Sequence, residues 1–247
     1  MEKAIRSILL KTLGLEGYLA IVSDAYLRIT NAGFLKAKYP ELFFLKQFIK
    51  PGFVSIDIGA NVGYYSTNIS KLSGSTGKVY AIEPVPLFAN VFKRNAHKFA
   101  LNNITLYQTA LGAENKKIEM GTPVIDGVFR HGLTHVLDSK DDNSALATFE
   151  AEMKIPDELF AKIEKLDFIK CDVEGYEVHL FPHLINTISK FKPLIQIEIS
   201  NAENRKQILD LLKPLGYKGF GLKNGALTEL SNQDTVNYTL GDLYFKI

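Results

Sequence analysis

The chain is poor in cysteine. Its 247 residues contain one, Cys171, so no disulfide can form within the chain and no cysteine cluster can hold a metal. That fits a reducing compartment. Long apolar runs are also missing. The stretch Ile8 to Leu10 is broken at once by Lys11, too short for a signal-peptide core. No segment approaches the roughly 20 apolar residues of a membrane span. These absences predict a cytoplasmic protein with no transmembrane segment. An excess of one charge is missing too: 29 Lys and Arg against 27 Asp and Glu leave +2. The basic residues are scattered and form no stripe, so no nucleic-acid partner is expected. What is there is globular material, 46% hydrophobic and 23% charged, enough for one sizeable core.

The first fifty residues read as a helical cap. Ile5, Ile8, Leu9, Thr12 and Leu13 fall at helical spacing, with Lys3, Arg6 and Lys11 between them. This helix either covers the core or docks on a membrane surface or partner. Residues 18–30 and 41–49 read as further helices, the second stopped by Pro51-Gly52. From Phe53 the pattern changes. Strand-like runs at 53–58, 78–83, 104–108, 166–171 and 193–198 alternate with helical ones at 62–72, 86–101 and 203–214. That alternation predicts a mostly parallel sheet with helices on both faces. Two strand-like runs at 216–222 and 238–247, with no helical pattern between them, predict a terminal antiparallel hairpin.

The stretch 113–165 interrupts the alternation. Within it Ala147, Phe149, Ala151, Met153 and Ile155 alternate with Thr148, Glu150, Glu152 and Lys154, the period of a half-buried strand. Residues 123–137 carry Arg130, His131 and His135. They form either a surface excursion or a substrate-facing insertion. The expected organisation is a cap at 1–50 and one domain at 51–247, with an insertion at about 113–165.

The most informative segment runs from Asp57 to Tyr65, Asp-Ile-Gly-Ala-Asn-Val-Gly-Tyr-Tyr. It follows a strand and opens a helix. Glycine there permits a tight turn and a close backbone approach to a ligand. A dinucleotide site would read Gly-x-Gly-x-x-Gly, to cradle pyrophosphate. This turn lacks that spacing and begins with a carboxylate, which repels pyrophosphate and suits a ligand with ammonium or hydroxyl groups. S-adenosylmethionine is such a ligand. The next strand ends in Glu83, where a carboxylate in an open parallel sheet meets the ribose hydroxyls of a nucleoside. A loop-capping role is the bland alternative.

Four motifs in order resemble the FkbM-type methyltransferases. They are Val54 to Tyr65, Glu83-Pro84, Ile169-Lys170-Cys171-Asp172-Val173-Glu174-Gly175-Tyr176-Glu177, and Ile197-Glu198. Asn61 stands where the general methyltransferase pattern has glycine, as in the FkbM-type pattern. The resemblance covers roughly residues 40–200. It implies a Rossmann-like α/β class I methyltransferase sandwich, S-adenosylmethionine as methyl donor, and O-methylation of a sugar or other metabolite hydroxyl. The implied cofactor-binding set is Asp57, Gly59, Ala60, Asn61, Gly63, Tyr64, Glu83, Pro84 and Ala110.

For chemistry, an alcohol nucleophile must be aligned and must lose its proton. Asp172 and Glu174, just past the fourth strand, and Glu198, at the end of the fifth, are the catalytic candidates. Asp172 as a helix cap and Glu174 as an ion-pair partner of Lys170 are the structural alternatives. Asp172, Glu198 and Asn201 offer hard oxygen ligands for Mg²⁺, a further candidate cofactor. His131 and His135 are reserve bases. Cys171, His97, His179 and His183 read as packing or surface residues. Two rival functions stay open: methylation of RNA or a protein side chain, and a non-catalytic cofactor-binding subunit. The oligomeric state is not legible.

Overall fold

The computed structural model describes residues 2–125, 128–129, 135–136 and 146–247. The chain opens with α1 (Glu2–Asn31), α2 (Pro40–Phe44) and a 3₁₀ turn at Leu45–Gln47. Next come β1 (Val54–Ile58), α3 (Tyr64–Ser73), β2 (Lys78–Ile82), α4 (Pro86–Lys98) and β3 (Ile104–Tyr107). The insertion holds β4 (Ala110–Leu111), β5 (Lys116–Ile125), β6 (Val128–Phe129), β7 (His135–Val136) and β8 (Leu146–Lys154). Then follow α5 (Pro156–Leu159), β9 (Phe168–Cys171), α6 (Glu177–Leu180), α7 (Ile185–Phe191), β10 (Leu194–Ile197) and α8 (Ala202–Leu212). The chain ends with β11 (Lys218–Lys223), β12 (Ala226–Glu229), α9 (Asn232–Asn237) and β13 (Leu243–Lys246).

The main sheet has eight strands in the order β12-β11-β13-β10-β9-β1-β2-β3. The five strands from β10 to β3 run parallel. β13 is antiparallel to β10, β11 to β13, and β12 to β11. This is the expected α/β sandwich with its antiparallel end. The strand order reverses between β1 and β9, so the crevice at their carboxyl ends is where such a sheet takes a ligand.

Burial follows the pleat. Ile56, Ile58, Ile169, Ile195 and Ile197 join one core beneath the sheet with Leu180, Phe181, Ile188, Leu209 and Leu212 from the helices of that side. The N-terminal cap covers the other face. Leu19 and Ala20 pack with Val85, Phe88 and Val91, while Leu42, Leu45 and Ile49 pack with Ile69, Val79 and Phe168. Asn95 Nδ2 donates to Ser23 Oγ at 3.0 Å and ties α4 to α1. The two N-terminal helices expected from sequence follow one another within α1, separated by a break at Gly14, whose backbone is non-helical with φ +66°.

The C-terminal segment corrects the sequence reading. β11 and β13 do pair, but β12 and α9 lie between them. Asn224-Gly225, both at positive φ, makes the tight turn from β11 to β12, a two-residue hairpin signal present in the sequence. Ser231 caps α9 by accepting from the Asp234 amide at 3.1 Å. The insertion is a second sheet, ordered β4-β8-β5-β6 with β7 on β5. β8 is the strand its alternation predicts, paired antiparallel with β5 from Lys116–Met153 to Pro123–Leu146.

Candidate functional site

A cavity of about 280 Å³ lies at the carboxyl ends of β1 and β9. Ile58 and Cys171 are in register there. The turn after β1 forms its floor. Asp57 is buried, and Ser66 Oγ donates to its Oδ2 at 2.5 Å. Burial raises the Asp57 carboxyl to about 6, against the downward pull of Ser66 and Lys170. Gly59 sits at φ +80°, and a Cβ there would overlap the Asp172 carbonyl oxygen. Its freedom therefore serves an internal contact between the two strand-end turns. Asn61 adopts φ +49°, a conformation asparagine tolerates better than most residues.

Glu83 is 4% exposed at the end of β2. Its Oε2 accepts the Asn61 amide at 2.8 Å and its Oε1 the Val85 amide at 2.9 Å. Burial outweighs both bonds and raises its carboxyl to about 7. A carboxylate has about four acceptor positions, so two remain for hydroxyl donors.

The predicted cofactor residues come together with one exception. Asp57, Gly59, Ala60, Asn61, Tyr64, Glu83, Pro84 and Ala110 all line the cavity. Gly63 stands behind it at φ +93°, its backbone against the Phe92 ring. Of the catalytic candidates, Asp172 and Glu174 line the cavity. Their loop is held by Glu177 Oε1, which accepts the Val173 and Gly175 amides at 3.3 and 3.1 Å. Glu198 is not among the lining residues. It follows β10, its amide donating to the Cys171 carbonyl at 3.1 Å. Nearby Asp172, ahead of partial desolvation and Asp242, raises Glu198 to about 7.

The metal expectation needs correction. Asn201 is the N-cap of α8, its Oδ1 accepting the Asn204 amide at 2.8 Å. Asp172 Oδ2 lies 3.7 Å from the Lys170 ammonium. Among the described residues no group of three or more His, Cys, Asp and Glu side chains is placed to hold a metal ion. Among the described residues nothing supports the Mg²⁺ set of Asp172, Glu198 and Asn201, whose asparagine oxygen caps α8. Arg130 and His131 lie outside the described residues. Of His135 only the backbone is described, paired with Gly121.

Sequence reasoning missed part of the wall. Tyr26, Tyr39 and Leu42 of the cap and Met120 of the insertion line the cavity. The Tyr26 ring centroid is 4.2 Å from that of Tyr64 and 5.1 Å from that of Tyr39. Burial pushes Tyr64 up to about 12 and Tyr26 higher still, so both hydroxyls stay protonated. Helical spacing marks an apolar face but does not say what that face will cover. Also missed were Lys170 as a wall residue and Asp242, 3.3 Å from its ammonium. A lysine inside an otherwise apolar strand was the available signal. Among the described residues, no helix is long and apolar enough to cross a membrane.

Known proteins share these features. Residues 57–219 match the family described as Methyltransferase FkbM domain. A probable cobalt-precorrin-6B C(15)-methyltransferase (decarboxylating) of Sulfurisphaera tokodaii is 27% identical over 124 residues, 49% of this chain and 63% of that protein. The protein of the same description in Saccharolobus solfataricus is 42% identical over 62 residues, 25% of this chain and 31% of that one. The chain thus spans less than two thirds of either relative. Among solved structures, the FkbM methyltransferase of Methylobacillus flagellatus KT has a TM-score of 0.48 at 17% identity, covering 78% of this chain and 44% of that one. The precorrin-6y C5,15-methyltransferase of Geobacter metallireducens GS-15 has a TM-score of 0.47 at 14% identity, covering 82% of each. The family match spans the β1 turn, Glu83 and the Asp172 loop together. The chain belongs to the FkbM methyltransferase family and carries an S-adenosylmethionine-dependent methyltransferase domain.

Proposed function

We propose that the chain methylates a hydroxyl oxygen of a sugar or another polar metabolite. The observation that carries this reading is the carboxylate group at the strand ends. Asp172 and Glu174 face the cavity, and Glu198 stands beside Asp172 with its carboxyl raised to about 7. An alcohol needs a proton acceptor as it attacks, and a base titrating near neutrality serves best.

The wall chemistry fits S-adenosylmethionine. Glu83 keeps two acceptor positions for the ribose hydroxyls. Asp57, Asp172 and Glu174 offset the positive charge of the sulfonium and ammonium groups. Ile82, Phe88, Leu111 and Met120 supply apolar surface for a flat base. When bound, S-adenosylmethionine supplies an electrophilic methyl group. The protein does the rest. Asp172 orients the acceptor hydroxyl, and the Asp172–Glu198 pair takes its proton. The rings of Tyr26, Tyr39 and Tyr64 give the wall a packed aromatic surface that keeps water from competing.

The relatives' names raise a second outcome, a carbon as acceptor. The experiment supplies methyl-labelled S-adenosylmethionine with a panel of hydroxylated sugars and locates the label by mass spectrometry. A methyl ether on oxygen supports the reading. Label appearing only on carbon or nitrogen of other acceptors contradicts it. Cytoplasmic location and a small-molecule partner belong to the same proposal.

A further inference from the structure

Lys170 lies within β9 with its side chain 2% exposed. Central strands of a parallel sheet are covered on both faces and are normally apolar. Here four adjacent strands instead carry a polar row. Asp57 on β1 is in register with Lys170, Lys170 with Gln196 on β10, and Gln196 with Tyr244 on β13. All four are buried. An ammonium in such a place is costly unless paired and hydrogen-bonded.

The pairing is in place. Lys170 Nζ lies 3.3 Å from Asp242 Oδ2 and 3.7 Å from Asp172 Oδ2, and it donates to the Cys171 carbonyl at 3.3 Å. Gln196 Nε2 in turn donates to Asp242 Oδ2 at 2.7 Å and fixes that carboxylate. An ammonium has three donors, and three acceptors of the protein surround this one. The ammonium thus makes one hydrogen bond, to the Cys171 carbonyl, and ion pairs with Asp242 and Asp172.

We propose that Lys170 is a positioning residue of the cavity: its buried ammonium holds Asp172 at the wall and sets its charge beside Asp57, its partner in register on β1. The inference rests on the reading of this cavity as the S-adenosylmethionine site. Charged and titratable groups reach the ammonium from every side. They are Asp57 on β1, Asp172 past β9, Glu198 past β10, Asp242 before β13, Glu41 on α2, and Tyr65, whose ring centroid is 5.0 Å from Nζ. Five of the six are acids that crowd one another. Burial disfavours the charge on Lys170, but Asp242 and Asp172 outweigh it and hold the ammonium well above its usual range. In return Lys170 pulls Asp57, Glu198 and Glu41 downward, opposing the burial and crowding that raise them.

The test titrates Asp57 directly by NMR of protein labelled at aspartate carboxyl carbons, with its signal assigned by loss in Asp57→Asn. Wild type is compared with Lys170→Met and with Lys170→Met/Asp242→Asn. The double variant removes both ends of the buried pair, so it keeps the test open should the single variant not fold. An opposite charge at close range moves a carboxyl by roughly 1–3 pH units. The Asp57 midpoint is expected to rise by at least about one pH unit in both variants. Affinity for S-adenosylhomocysteine is expected to fall at pH 7, about twofold for a one-unit rise and more for a larger one, and to recover at pH 9. A structural role alone leaves the double variant with the wild-type midpoint and an affinity loss independent of pH, and that result overturns the proposal. The midpoint needs no ligand, so a wild type that fails to bind S-adenosylhomocysteine refutes the cofactor reading while the titration still decides the role of Lys170.

Discussion

Gly59 and Asp172 meet backbone to backbone: a Cβ on Gly59 would overlap the carbonyl oxygen of Asp172. This contact sets the turn after β1 against the loop after β9. Gly59→Ala is therefore expected to destabilise the protein severely. The left-handed backbone at φ +80° alone costs a methyl-bearing residue roughly 1–3 kcal/mol, and the obstacle is a rigid carbonyl. Gly63→Ala carries similar backbone strain at φ +93° but meets the Phe92 ring and no rigid carbonyl, and should cost less. Thermal unfolding of the two variants checks the order. Equal midpoints would show that the turns are not locked together.

Glu83 makes the ligand-free protein sensitive to pH. Its carboxyl is raised from an ordinary 4.5 to about 7 by burial, so the folded state holds the proton more tightly than the unfolded chain. Stability then falls as pH rises from about 4.5 to 7 and stays reduced above that. At ~1.4 kcal/mol per pH unit, this one group contributes a fall of roughly 3 kcal/mol. Asp57 and Glu198 act in the same direction. Glu83→Gln removes the titrating group, and urea unfolding from pH 4.5 to 8 should show a correspondingly shallower decline. An unchanged slope would mean that Glu83 takes up no proton on folding in this window.

Asp172→Asn and Glu198→Gln should each lower turnover by roughly 10²–10⁴-fold, the usual contribution of a positioned acid or base. Affinity for S-adenosylhomocysteine should stay within a few fold, because Glu83 and the β1 turn are untouched. Full activity in both variants would remove the carboxylate pair from the mechanism and send the search for a base to His131 and His135.

The cap is expected to unfold with the core. Leu27 is fully buried, and its replacement by alanine should cost about 2–5 kcal/mol. The unfolding transition should remain single. A separate low-temperature transition in Leu27→Ala would show that α1 docks on the core as an independent unit.

Much of this was legible in the sequence because local patterns carried it. Alternation placed the parallel strands, and the strand-turn-helix at Asp57 to Tyr65 with Glu83 behind it marked residues that line the cavity. The period of two at Ala147 to Ile155 gave β8. What escaped depended on contacts distant in the chain. Tyr26 and Tyr39 reach the cavity only because α1 and α2 fold over the sheet. Asp242 meets Lys170 only because β13 pairs with β10. Asn201 read as a metal ligand by residue type, but it caps the helix that begins one residue later, and helix capping is a local rule that the sequence did offer.

The account stands most directly on one titration. Calorimetry of the wild-type protein with S-adenosylhomocysteine and with NAD, beside Glu83→Ala, tests whether this cavity is a site for S-adenosylmethionine. The prediction is saturable binding of S-adenosylhomocysteine, none of NAD, and at least about tenfold weaker binding in the variant. Loss of charge-assisted bonds worth roughly 1.5–3 kcal/mol each requires that much. Binding of NAD in place of S-adenosylhomocysteine, or equal affinity in Glu83→Ala, would contradict it.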